Sequence, residues 1–308
     1  MKRIILTIMT AMLLGGNVAW ADDLDDAGAA YKRKDYATAL KMWRQLAAQG
    51  NASAQASLGA SYDSGQGVPQ DYAKARRWYE KAAAQGYAKP QYNLGTLYTN
   101  GLGVPQDDVK ARQWYEQAAA QGHAEAQNNL GVLYAMGQGV PQDYAQAAYW
   151  YERAAAQGYA KAQNNLGLLY ANGQGVPQDY AKARQWWEQA AAQGYADAQH
   201  NLGVLYAEGQ GVPQDDAKAR QWWEQAAAQG YADAQHNLGW LYAEGHGVPQ
   251  DDVRAYMWYN LAAPHLTGNV QKLAADDRDK VVRSMTPAKI AEALRLTHQC
   301  QAQQFKGC

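Results

Sequence analysis

The sequence predicts an all-α protein. We expect a right-handed α-α superhelix (solenoid) of about six 36-residue helix-turn-helix repeats, with an N-terminal partial repeat and a C-terminal helical cap. Three observations predict this class. Leu-Gly recurs every 36 residues, and the aromatic composition of 22 Tyr and 11 Trp against one Phe is typical of a short template copied many times. The pentapeptide Gly-Val-Pro-Gln-Asp recurs in phase with Leu-Gly and starts at Gly67, Gly103, Gly139, Gly175, Gly211 and Gly247. Repeats of this length stack so that each unit contacts only its neighbours.

The first helix of each repeat is predicted from the spacing of its apolar residues. In the copy that begins at Gly122, Ala126, Leu130 and Leu133 follow a helical period, which predicts helix A over Ala124 to Met136. Gly131 lies inside this helix, where a glycine costs about 1 kcal/mol relative to alanine. Because all six copies keep this glycine, we expect it to allow a close approach of two helices.

The second helix of each repeat is predicted from its start and stop signals. Gly-Gln-Gly from Gly137 ends helix A, and Pro141 fixes the turn that follows. Asp143 is placed to cap helix B, which we expect to continue to about Gln157. Helices of this length are marginal alone in water, so each must bury its apolar stripe against its neighbours.

The first 21 residues are predicted to be a secretory signal peptide. Lys2 and Arg3 precede an apolar run from Ile4 to Leu14, and Ala-Trp-Ala at residues 19–21 is typical of a cleavage site. We therefore expect an exported protein, with the periplasm as its destination or secretion as the alternative. The later sequence contains no run that is apolar enough to span a membrane.

The remaining chain is predicted to divide into three parts. Residues 22–49 read as a truncated, tetratricopeptide-like first unit, and residues 264–308 as capping helices, one of which begins at Thr286-Pro287. Cys300 and Cys308 are predicted to form a disulfide, the usual state of two cysteines in an oxidising compartment. The six full repeats are expected at residues 50–85, 86–121, 122–157, 158–193, 194–229 and 230–263.

Composition and motifs give no support for catalysis or for nucleic-acid binding. The formal net charge is −1 and the two signs are mixed along the chain, unlike a nucleic-acid-binding surface. No Ser-x-x-Lys or Gly-x-Ser-x-Gly nucleophile motif is present. His200 and His236 lie one repeat apart, too far to share a metal ion without further ligands. We therefore predict neither an enzyme nor a cofactor nor a metal site.

The repeat motifs resemble the Sel1-like repeat (SLR) family of exported bacterial proteins, a branch of the tetratricopeptide-like (TPR-like) superfamily. The resemblance rests on Ala-x-Ala-Gln-x-Asn-Leu-Gly-x-Leu-Tyr, on Gly-x-Gly-Val-Pro-Gln-Asp and on the Trp/Tyr- and Ala-rich helix B that follows. It covers nearly all of the chain after residue 21. It implies a non-catalytic scaffold or adaptor that binds a protein or peptide on the concave, helix-A surface.

A second function class is kept as an alternative. One branch of the family, the cysteine-rich repeat proteins, is linked with penicillin binding or slow β-lactam hydrolysis. That branch has a cysteine pair in each repeat, whereas the repeats of this chain have none.

Comparison of the copies within the chain points to the surface that binds the partner. Helix-A positions at offsets i, i+3, i+7 and i+11 vary between copies while the packing positions stay constant, and these offsets share one side of a helix. Val132, Leu168, Val204 and Trp240 are expected to form an exposed apolar column. The candidate peptide-binding residues are Tyr92, Asn128, Asn164, His200, His236, Val132, Leu168, Val204 and Trp240 from this stripe, and the adjacent Asn93, Asn129, Asn165, Asn201 and Asn237.

The constant asparagines have two readings. By resemblance they hold the main chain of a peptide, for which an amide offers two donors and an acceptor. Alternatively, they bond across to the neighbouring repeat, which explains their constancy equally well. Asp197, Glu208, Asp233 and Glu244 make the C-terminal half of the surface acidic, so the partner is expected to be basic there.

Overall fold

The computed structural model describes residues 22–308, so the predicted signal peptide at residues 1–21 lies outside the described residues. All regular structure in the described part is helical, which confirms the predicted all-α class of paired helices. The first helix, α1, covers residues 22–32. The others are α2 (Tyr36–Ala48), α3 (Ala52–Ser64), α4 (Tyr72–Ala83), α5 (Ala88–Asn100), α6 (Asp108–Ala120), α7 (Ala124–Met136), α8 (Tyr144–Ala156), α9 (Ala160–Asn172), α10 (Tyr180–Ala192), α11 (Ala196–Glu208), α12 (Asp216–Ala227), α13 (Ala232–Glu244), α14 (Asp252–Ala262), α15 (Gly268–Ser284) and α16 (Pro287–Ala302).

The chain forms two compact units, unit 1 up to Trp150 and unit 2 from Tyr151 to Cys308. Within unit 1 each helix from α2 to α7 packs on the next one in sequence, and within unit 2 the same holds from α9 to α15. In the described part of the chain, no helix is both long and apolar enough to cross a bilayer.

The helix boundaries follow the predicted caps. The carboxylate of Asp143 accepts the backbone N–H groups of Ala145 and Gln146 at 2.9 and 3.0 Å, which satisfies two donors at the start of α8. At the end of α7, Gly137 adopts φ +69°, a left-handed conformation that a glycine takes without strain. The predicted bounds of helix A, Ala124 to Met136, are confirmed.

The mid-helix glycines allow helix A and helix B of one repeat to pack in close contact. A Cβ atom at Gly95 would lie 2.5 Å from the Tyr115 ring, and one at Gly239 would lie 2.7 Å from the Tyr259 ring. Both rings are almost fully buried. The expected close approach is therefore confirmed, and the aromatic residue of helix B lies directly over the glycine of helix A.

Repeated glutamines add a hydrogen-bonded ladder whose role the sequence does not reveal. In unit 2 the Gln199 amide donates to the Ala191 carbonyl at 3.3 Å, and the Gln229 amide donates to Gln199 Oε1 at 2.8 Å. Gln235 repeats the first bond with the Ala227 carbonyl. Residue 265, where the next glutamine would fall, is His265, and Gln235 Oε1 has no partner within the described residues. The ladder therefore ends where the repeats end.

The C-terminal segment covers the last repeat. Helices α15 and α16 both pack on α14, and α16 begins at the predicted Thr286-Pro287 cap, where Thr286 Oγ1 accepts the Lys289 N–H at 3.3 Å. The predicted disulfide joins Cys300 to Cys308. It closes a short loop in which the Phe305 ring faces Gly230. Closure of so short a loop stabilises by roughly 2–3 kcal/mol in the chain-entropy model.

The Gly95→Ala substitution tests the glycine–aromatic contact. We expect it to lower the free energy of unfolding by about 1–3 kcal/mol, because the added methyl group overlaps the Tyr115 ring. Urea denaturation followed by circular dichroism measures this change.

The matched control is Gly28→Ala in α1, where a Cβ atom meets no described atom within 4 Å. We expect Gly28→Ala to leave the free energy of unfolding unchanged or to raise it by up to about 1 kcal/mol, because alanine has the higher helix propensity. Equal effects at the two positions would show that the constant glycines are not required for packing.

Candidate peptide-binding groove

In unit 1 the predicted surface residue Tyr92 packs against its neighbours. The Tyr92 ring stacks on His123 with 4.8 Å between centroids, and the Lys89 ammonium lies 4.7 Å from the centre of the same Tyr92 ring. Val132 is half-buried. Asn128, a candidate peptide-binding residue, is 0% exposed, so its side chain does not lie on the surface.

The constant asparagines make contacts between repeats. In unit 2, Asn201 Nδ2 donates to Asn164 Oδ1 at 2.9 Å, and Asn237 Nδ2 lies 3.2 Å from His200 Nε2. In both cases the asparagine reaches the variable residue of the preceding repeat. Asn164, another candidate peptide-binding residue, is only 4% exposed. These bonds favour the second reading of the asparagines, in which they join neighbouring repeats.

The other asparagines follow the same tendency. Asn93 lies near the Tyr79 hydroxyl of the preceding repeat, and Asn129 lies near that of Tyr92. Asn165 is half-buried in α9. Leu168, in the same helix, is exposed.

Several of the predicted residues in unit 2 come together in one groove of about 560 Å³. Helices α11 and α13 form two of its walls, and α15 forms the third. We call it the C-terminal groove. Its lining comprises His200, Val204, Ala207, Glu208, Trp223, Asp233, His236, Asn237, Trp240, Val270 and Leu273.

Helix α15 supplies the part of the groove that the repeat pattern does not predict. Val270 and Leu273 line the groove with exposed side chains, while Ala274 is buried against Ala262 and Leu266. The helix therefore has apolar residues towards the repeats and further apolar residues towards the groove. The i, i+3 spacing of Val270 and Leu273 is a local signal that a search of the C-terminal tail for amphipathic helices could have found.

A polar contact joins α15 to α13. His236 Nε2 lies 3.1 Å from Asp277 Oδ2, and the same carboxylate pairs with Lys280 at 3.1 Å. Both His236 and Asp277 are largely buried. The contact places the apolar residues of α15 opposite Trp240.

The charge of the groove is negative. Glu208 and Asp233 line it, and no Lys or Arg does so among the described residues. Burial lowers the pKa of His200 and so favours its neutral form, although nearby Asp233 and Asp197 act in the opposite direction. No group of His, Cys, Asp and Glu that could hold a metal ion occurs between residues 22 and 308.

Trp240 provides the largest exposed apolar surface on α13. Its ring stacks on His246 at 4.7 Å between centroids with a 20° interplanar angle, and 36% of the residue remains exposed. His246 in turn has its Nδ1 3.6 Å from Asp216 Oδ2. The groove thus combines a supported indole, aliphatic side chains and two carboxylates, which suits a peptide better than a small apolar ligand.

The paired helices and repeat motifs define a helical-repeat protein, and the chain belongs to the Sel1 repeat family, whose members are protein-interaction scaffolds. The family model matches residues 27–51, 52–87, 91–123, 124–159, 160–195, 196–231 and 232–263. The first match falls on the segment predicted to be a truncated unit. No curated protein matches the chain.

Solved structures resemble the chain as well. A Sel1 repeat protein from Oxalobacter formigenes is 36% identical with a TM-score of 0.73, over 78% of this chain and 96% of that one. A protective antigen with an SLR fold from uropathogenic Escherichia coli is 30% identical, over 87% and 73% of the two chains, with a TM-score of 0.38. An immunity protein from Pseudomonas aeruginosa is 22% identical, over 75% and 81%, with a TM-score of 0.43.

The Asn201→Ala substitution tests the bond between repeats. It removes the donor that now bonds the buried Asn164 Oδ1. We therefore expect the free energy of unfolding to fall by about 1–3 kcal/mol. Asn172→Ala, at the exposed end of α9, is the control and should stay within about 0.5 kcal/mol of the parent. Thermal and urea melts measure both. A stable Asn201→Ala protein would instead favour the ligand-binding reading.

The pH dependence of stability tests the burial of His200. Because its pKa in the folded state lies below the ordinary value of 6.5, the folded chain binds fewer protons at this site than the unfolded chain does. The contribution of neutral His200 to the free energy of unfolding is therefore present above about pH 6.5 and is lost as the pH falls below this value.

We expect His200→Asn to lose less stability than the parent between pH 7 and pH 5, as measured by urea denaturation at each pH. Asparagine already occupies this position as Asn128 and Asn164. His298→Asn, on the exposed side of α16, should keep the parental dependence. If the stability of His200→Asn depends on pH in the same way as that of the parent, the attribution of this dependence to buried His200 is wrong.

Proposed function

We propose that this protein is an exported bacterial scaffold that binds a segment of a partner protein in the C-terminal groove, without catalysis. The observation that carries the proposal is the groove itself, in which Trp240, Val270 and Leu273 are exposed around one cavity of about 560 Å³. Exposed apolar residues that cluster in a concave site are typical of contact surfaces. The scaffold role of the family supports the same conclusion.

Export to the periplasm is part of the proposal. The charged and apolar pattern of residues 1–21 supports it, and so does the Cys300–Cys308 disulfide, since disulfides persist in oxidising compartments. Secretion beyond the periplasm is the alternative destination.

The side chains of the groove favour binding over the hydrolase alternative. Its histidines face partners that orient them, His200 towards Asn237 and His236 towards Asp277. No Ser, Thr, Cys, Lys or Tyr side chain lines the groove in the described part of the chain, so neither histidine faces a hydroxyl, thiol or amine nucleophile there.

Selection from a library of displayed random peptides tests the proposed function. We expect peptides that bind the parent protein to lose at least about tenfold in affinity for the double variant Trp240→Ala plus Leu273→Ser, because that variant removes the two largest apolar side chains that are exposed in the groove. Isothermal titration calorimetry measures the affinities, and circular dichroism verifies that the variant is folded.

The matched control is Leu294→Ser, which replaces an exposed leucine of α16 outside the groove. We expect it to bind like the parent. Peptides whose affinity falls in the control but not in the double variant would place the binding surface elsewhere and overturn the proposal.

A further inference from the structure

We propose that the segment bound in the C-terminal groove carries an arginine close to a branched aliphatic residue. This inference rests on the proposed function and names the chemistry of its partner. It follows from three features of the groove: carboxylates without a Lys or Arg partner among the described residues, a supported indole and an adjoining aliphatic wall.

The carboxylates of the groove lack the cations that accompany other acids of unit 2. On the helices outside the groove, Glu224 pairs with Arg220 at 2.9 Å, and Glu188 pairs with Arg184 at 3.7 Å. Glu208 accepts a hydrogen bond from the neutral Gln210 amide at 2.5 Å, but neither Glu208 nor Asp233 forms an ion pair with Lys or Arg in the described part of the chain. A cationic side chain of the partner would therefore provide the positive charge that these carboxylates lack.

The groove acids and the indole occur together only in the last two repeats. At the Asp233 position the earlier copies have Lys89, Glu125 and Lys161, and at the Glu208 position they have Asn100, Met136 and Asn172. At the Trp240 position every other copy has a smaller side chain, such as Thr96 or Leu168. The departures from the template therefore coincide in the one place where α15 closes a groove, which is expected of a recognition site.

Arginine fits this combination better than lysine does. A planar guanidinium stacks on an indole and donates two parallel hydrogen bonds to a carboxylate, whereas an ammonium is a compact point charge. The Trp240 ring is held on one side by stacking against His246 and keeps 36% of its surface exposed.

The remaining wall is aliphatic. Val204, Ala207, Val270 and Leu273 line the groove together with the charged residues. A branched aliphatic side chain fits beside them. In an extended segment, residues i and i+2 point to the same side about 6–7 Å apart, so one short segment can present both groups.

Four short peptides test the inference. They are acetylated and amidated pentapeptides of the form Ser-X-Ser-Z-Ser, in which X-Z is Arg-Leu, citrulline-Leu, Glu-Leu or Arg-Ser. Citrulline has nearly the shape of arginine without its charge. Binding is followed by the shift of the Trp240 indole N–H signal, which the spectrum of the Trp240→Phe variant assigns, and by calorimetry.

We expect the Arg-Leu peptide to bind at least about tenfold more tightly than the other three, since one charge-assisted pair accounts for a factor of this size. Asp233→Asn plus Glu208→Gln should reduce its affinity to that of the citrulline peptide. Glu188→Gln removes an acid of α10 that lies outside the groove lining, and should change the affinity less than twofold.

The outcomes separate this inference from the proposed function. Equal binding of the arginine and citrulline peptides, tighter binding of the glutamate peptide, or an unchanged affinity in the double variant overturns the inference. Library peptides that bind the groove but lack arginine also overturn it and leave the proposed function standing. If neither the library nor the four peptides yield binding that depends on Trp240 and Leu273, both proposals are wrong.

Discussion

The contact between a glycine of helix A and an aromatic ring of helix B is the constraint on which each repeat depends. The Tyr115 ring over Gly95 and the Tyr259 ring over Gly239 bring two short helices close enough to bury their alanines and leucines together. Helices of 11 to 13 residues gain little stability by themselves, so this packing, rather than helix propensity, maintains them. Because the contact fixes how helix A is rotated about its axis, it also determines which residues, such as Asp233 and Trp240, remain available on another side.

The repeats made much of this fold predictable from the sequence. Asp143 and Gly137 are cap residues whose chemistry marks a helix end locally, so the bounds of α7 could be inferred without any tertiary information. Thr286-Pro287 has the same property, which is why the start of α16 was also predictable. The wall formed by α15 could not be predicted by comparing repeats, because Val270 and Leu273 lie in a stretch that no other copy of the repeat resembles. A residue that occurs once gives no internal comparison.

Variation between copies proved an imperfect guide to exposure. One repeat position is occupied by Tyr92, Asn128, Asn164, His200 and His236 in successive copies. Although this position varies, both of its asparagines are buried. The constant asparagine of the next repeat tolerates this variation, since its amide can donate to the oxygen of Asn164 and can equally lie against the ring nitrogen of His200. Positions at repeat junctions can therefore change as long as they offer an acceptor. Sequence comparison alone cannot separate this tolerance from a varied binding surface.

Hydrogen exchange measured by mass spectrometry, with and without a peptide selected on the protein, tests the central claim most directly. If the C-terminal groove is the binding site, the peptide should slow exchange in α11, α13 and α15, whose residues line it. The helices α10 and α12, which contribute little or nothing to the lining, should change least. Protection confined to α10 and α12, with unchanged exchange in α13 and α15, would contradict the account.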